Sequence, residues 1–150
     1  MNEEYTSTMQ KLAGVWRLVT SEFRTAGGNV MYPLGEDARG LAIFTESGYM
    51  SGQLMRPGRP NFASNNQALG TPDEIQQSFL GYIAYYGRCE LDLQSQTITT
   101  HVEGSMYPNW VGSEQVRFYE LGDDRLVLRT PPITLGDEEI TGVLTWQRQQ

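Results

Sequence analysis

Along most of this chain apolar and polar residues alternate in short runs, and the runs are broken by Gly, Asn, Asp and Pro. Alternation with period two between turn signals predicts strands joined by tight connections. The first run, LAGVWRLVTSEF over Leu12 to Phe23, is rich in β-branched and aromatic residues and stops at Ala26-Gly27-Gly28-Asn29. Val30 to Leu34 reads as a short second strand ended by Pro33 and the loop Gly35 to Arg39. GLAIFT and YMSGQLM then flank Glu46-Ser47-Gly48 as a hairpin. Arg56 to Thr71 has no periodicity and is dense in Pro, Gly and Asn, which predicts a long loop of the kind that often serves as a lid.

One helix interrupts the strands. Thr71 is placed as its N-cap, with Pro72 at the first helical position and Glu74 at the third, and the run ends near Leu80. Gly81 to Leu93 predicts a long strand in which Gly87 marks a bulge or a close backbone approach. Strands are also expected at Ser113 to Leu121, Arg125 to Thr130 and Ile140 to Arg148. Roughly eight strands in up-and-down order close most naturally into an antiparallel barrel, either just filled or holding one small ligand.

The stretch Thr97 to Gly112, TITTHVEGSMYPNWVG, carries the single histidine of the chain. Ile98, Thr100 and Val102 share one face of the strand, and His101, Glu103 and Ser105 share the other. Two orientations follow. Either the polar face is solvated, or the long loop and helix cover the outside of the barrel and the polar face lines a cavity.

Composition narrows the classes. With 150 residues the chain is expected to form a single domain, with residues 1–10 a poorly ordered or docking segment. Eleven basic against eighteen acidic residues, a net charge of -7, argue against nucleic acid or an anionic membrane as partner. Cys89 stands alone, so no disulfide framework or cysteine metal cluster is expected, and the first ten residues lack the apolar run of a secretory signal. The expected setting is cytoplasmic. No phosphate-cradling glycine motif and no metal-ligand spacing is present, so no cofactor and no metal are expected.

Gly14-Val15-Trp16 near the start and Arg148 near the end resemble the Gly-X-Trp opening and closing arginine of a lipocalin-like, or calycin, barrel. The runs LAGVWRLV, PLGEDARGLAIFTESGYMSGQLMRPGRP, GYIAYYG and HVEGSMYPNWVG extend the likeness to the small bacterial and fungal lipocalin-like proteins. The resemblance implies an eight-stranded barrel with a cavity for a small organic molecule. It implies no single reaction, because the wider group holds transporters, carriers and cofactor-free cyclases.

Candidate chemistry follows from residue types and strand faces. His101 is the natural general base or acid, with Glu103 to tune it. Arg117 shares a face with Gln115 and Tyr119 and, with Tyr85, suits stabilisation of a developing oxyanion. Tyr49, Ser51, Gln53, Ser105, Asn109, Trp110 and Gln115 are candidate substrate contacts, while Gly14, Trp16 and Arg148 are read as structural. Each candidate also has a plain structural use as a solvated pair, a core filler or a turn residue. The leading expectation is a cofactor-free cyclase, isomerase or lyase acting by proton transfer on a small, partly apolar molecule, in natural-product biosynthesis. A non-catalytic carrier of the same ligand is the first alternative, and a filled barrel acting through its surface, as a dimer or an accessory to a pathway enzyme, is the second.

Overall fold

The computed structural model describes residues 2–150. Ten strands form one antiparallel sheet: β1 (Gly14–Thr25), β2 (Val30–Met31), β3 (Arg39–Phe44), β4 (Tyr49–Met55), β5 (Tyr82–Asp92), β6 (Thr97–Ser105), β7 (Glu114–Leu121), β8 (Arg125–Arg129), β9 (Ile133–Leu135) and β10 (Glu138–Arg148). Pairing of β1 with β10, from Trp16 opposite Arg148 to Thr25 opposite Ile140, closes the sheet on itself. Strands β2 and β9 hang on β1 and β10 beside the closed ring, which therefore has the eight strands expected. Among the described residues no helix is long and apolar enough to cross a membrane.

Alternation decides which side chains face inward. On β4, Met50, Gly52 and Leu54 are buried while Tyr49, Ser51 and Gln53 are exposed. On β6, Ile98, Thr100 and Val102 are buried inward. Gly87 sits at a β-bulge, where the register with β6 slips, and a Cβ there would lie 2.0 Å from the His101 carbonyl oxygen. No other residue type fits so close to a backbone atom.

The helix expected after Thr71 is α2 (Pro72–Leu80). Its Thr71 hydroxyl accepts from the Glu74 amide while the Glu74 carboxylate accepts from the Thr71 amide, a complete capping box. A second helix, α1 (Glu3–Leu12), joins the one expected and covers most of the segment read as a poorly ordered or docking start. Asn2 caps it by accepting from the Tyr5 amide, and Tyr5, Met9 and Leu12 fall on one face at i, i+4 and i+7. That face plugs one end of the barrel, where Met9 and Leu12 are buried and the Tyr5 hydroxyl accepts from the Leu91 amide.

The plugged end is densely tied. Trp16, fully buried, donates its indole N–H to the Leu12 carbonyl at 2.8 Å. Arg148 lies over the Trp16 ring at 4.2 Å and donates to the carbonyls of Lys11, Ala13 and Asp123. Gly14, at φ +128°, lets the chain turn from α1 into β1, with the Arg148 guanidinium only 3.2 Å from where a Cβ would stand. One cation thus holds the helix, the first strand and the last strand together.

Candidate functional site

The other half of the barrel is hollow. A cavity of about 280 Å³ lies among the inward residues of β1, β3, β4, β5, β7, β8 and β10. Its space comes from small residues where a large side chain would otherwise fill the interior, among them Ser21, Ala42, Gly52 and Gly142. Phe23, Phe44, Met50, Leu54, Ile83, Leu128 and Leu144 make the wall apolar. The volume sits just under the range of ordinary ligand sites, roughly 300–1,000 Å³, and suits one substituted ring.

Elements outside the ring supply its mouth. Pro33 and Leu34 follow β2, Leu80 ends α2, Trp110 lies in a short 3₁₀ turn (Pro108–Trp110), and Ile133 starts β9. The loop from 56 to 71, expected as a lid, contributes no lining residue. It is strapped to the outside instead, through the Arg56 amide to the Gly81 carbonyl, Arg59 to the Ser78 carbonyl, and the Ala63 amide to Glu74. The two hydrogen bonds that Glu74 accepts from the Thr71 and Ala63 amides hold its carboxyl below its ordinary range.

Polar groups in the cavity are few. Arg117 on β7 is the one charged side chain lining it among the described residues. Its guanidinium donates to the Val116 carbonyl at 2.9 Å and to the Gln115 side-chain oxygen at 3.4 Å, and no carboxylate pairs with it among the described residues. Gln115 is itself held by donating to the Ser113 hydroxyl. Tyr85 lines the wall and meets Trp110 edge to face at 5.2 Å between ring centres. Trp146, only 2% exposed, lines the cavity as well, and its indole Nε1 has no hydrogen-bond partner among the described residues.

Several candidates lie elsewhere. His101 and Glu103 do not line the cavity: His101 points outward, its side chain 45% exposed, between Glu90 at 3.0 Å and Glu114 at 3.6 Å. Because Thr100 and Val102 on either side of it are buried inward, His101 must face solvent. Glu103 is exposed beside the bulge. Tyr49, Ser51 and Gln53 point outward by the same parity, and Gln53 accepts from the Tyr82 hydroxyl on the outer surface. Ser105 accepts from the Tyr107 amide next to the mouth, and Asn109 is exposed in the 3₁₀ turn. The structure thus brings Arg117, Tyr85, Trp110 and Gln115 together and leaves the rest outside.

Sequence reasoning passed over Trp146, Ser21 and Thr130 as lining residues. The signal for them is parity, since each falls opposite or beside an inward residue once β1 and β10 are aligned from Trp16 and Arg148. Cys89 lies in the packed half, and burial, with help from the Glu90 charge, pushes its thiol up to about 11. A protonated, enclosed thiol is a packing group rather than a nucleophile.

Comparison with known proteins agrees with this architecture. A 4'-hydroxy-3'-methoxypropiophenone carrier protein, ppsC, of Aspergillus oryzae is 36% identical over 106 residues, 66% of this chain and 96% of the relative. No solved structure matches at a significant level. The lipocalin-like domain family matches residues 13–149, and the chain belongs to that family.

Proposed function

We propose that this protein binds a small aromatic molecule in the barrel cavity and carries it unchanged. The observation that supports this reading is the cavity itself: enclosed by the barrel, apolar on its walls, sized for one substituted ring, and marked by a single cation at Arg117. The relative named as the carrier of an aryl ketone supports the same ligand class. Orientation would come from Arg117 and the Tyr85 hydroxyl, and Trp110 would stack against the ring at the mouth.

The geometry favours carriage over proton-transfer catalysis. A general base must reach the proton it moves, within about 3 Å or through one water. His101 and Glu103, the residues expected to do so, lie on the far side of the sheet. The described lining holds no histidine or carboxylate in their place.

Calorimetric titration with 4'-hydroxy-3'-methoxypropiophenone tests the reading, followed by recovery and mass analysis of the ligand after prolonged incubation. One-to-one binding with the ligand recovered intact is the expected result. A new product would revive catalysis, and absence of binding to this and related aryl ketones would remove the carrier reading.

A further inference from the structure

Besides the hydroxyls of Ser21, Tyr85 and Thr130, the cavity lining carries one cation. Arginine stays protonated in proteins, and Arg117 answers its charge only with two neutral oxygens, the Val116 carbonyl and the Gln115 amide. Trp146 adds an indole N–H with no acceptor, in a ring that lines the same cavity. The cation thus stands without a counter-charge in a mostly apolar wall, beside a ring whose buried N–H is also unanswered, and unpaired polarity there is costly. What such a wall lacks is an acceptor that carries negative charge.

The ligand class of the preceding section can supply one. In a phenol with an acyl group para to the hydroxyl, loss of the proton spreads the charge through the ring onto the ketone oxygen, so the anion is easier to reach than that of a simple phenol. We infer that the cavity takes a 4-acylphenol as its phenolate, with an oxygen of the conjugated anion on the Arg117 guanidinium. This rests on the carrier reading and adds the charge state of the ligand. The phenolic proton passes to solvent on binding, no covalent bond to the protein forms, and Gln115 is a positioning residue that holds the guanidinium in place.

A neighbouring arginine lowers a carboxyl pKa by about one to three units, and the same electrostatics act on a phenol. The bound ligand should therefore ionise at least about one pH unit below the free ligand, which is roughly a tenfold preference for the anion. Between the two midpoints affinity should rise with pH, by about tenfold per unit, because a proton is released on binding. Above the free ligand's midpoint it should level off.

The experiment is an absorbance titration of 4'-hydroxy-3'-methoxypropiophenone against pH, free and with the full chain in excess, since the phenolate absorbs at longer wavelength than the phenol. Its methyl ether, 3',4'-dimethoxypropiophenone, cannot ionise and serves as the second probe on the unmodified protein. A lowered midpoint, with the ether bound at least about tenfold more weakly and independently of pH, is the expected outcome. Arg117→Gln should return the midpoint to the free value or above it. A bound phenol that titrates at or above the free value, or an ether that binds as tightly, overturns the charged-ligand inference and leaves the carrier reading standing. Failure of both compounds to bind overturns both.

Discussion

The two ends of the barrel share the same strands and treat their interiors in opposite ways. At the α1 end, Met9, Leu12, Trp16, Leu18, Leu91, Ile98 and Leu126 fill the space, and Arg148 spends its donors on carbonyls of the chain. In the hollow half, glycines and small residues stand where large ones would pack, and Arg117 meets only two neutral oxygens. Both ends place an arginine next to a tryptophan-lined interior. Arg148, bonded to three carbonyls and stacked on Trp16, serves stability, whereas Arg117 has two contacts and faces the cavity, where the carrier reading puts the ligand.

The sharpest way to break that contrast is a pair of leucine truncations. Leu126→Ala, in the filled half and fully buried, should cost about 3 kcal/mol, within the usual 2–5 for such sites. Leu144→Ala, whose side chain already faces the cavity, should cost only about 1–2 kcal/mol, because it enlarges an existing space instead of opening a new one. Denaturant melts on both variants would check this, and equal costs would mean that the mouth is packed like the plugged end. Arg148→Met comes next. Losing the stack on Trp16 and three carbonyl contacts should destabilise by about 2 kcal/mol with ligand affinity unchanged.

Arg117→Leu should do the reverse. Removal of a partly buried, unpaired cation should leave the ligand-free stability within about 1 kcal/mol or raise it, while affinity for an anionic ligand falls. Thermal melts with and without ligand separate the two effects. The smallest effect belongs to His101→Ala, expected to change stability by no more than about 0.5 kcal/mol, as for an ordinary surface site, and to leave binding untouched.

The filled end also carries a pH signature. The Cys89 thiol, pushed up to about 11 by burial, has a folded pKa above its ordinary value of 9.0. Its contribution to stability is therefore complete below pH 9 and lost as pH climbs toward 11. At neutral pH the folded protein should resist alkylation of Cys89, and mass analysis after iodoacetamide treatment would show the modification only on unfolding.

Much of the fold was legible because its signals are local. Turn residues bounded the strands, Thr71-Pro72-Asp73-Glu74 spelled out a capping box, and Gly87 announced the bulge. Helix α1 was legible too, in Asn2 and the spacing of Tyr5, Met9 and Leu12, but three apolar residues without a run read only as a poorly ordered or docking segment. They form a helix because the open barrel end gives that face something to cover. The site was harder. The alternation on β4 and β6 already separates polar from apolar residues, and the ordinary rule that the apolar face goes inward places Ser51, Gln53 and His101 outside. What alternation does not reveal is that β5 and β7 carry Tyr85 and Arg117 on the inward face, nor that small residues on β3, β4 and β10 leave room beside them.

The measurement that bears most directly on the division between a packed end and a hollow end is a chemical-shift map of the labelled protein titrated with 4'-hydroxy-3'-methoxypropiophenone. The indole signals of Trp110 and Trp146 and the amides around Tyr85 and Arg117 should move together with a single saturation curve, while Trp16 and His101 stay still. Shifts centred on His101, Glu90 and Glu114, with Trp110 and Trp146 unmoved, would place the ligand on the outer face and contradict the account.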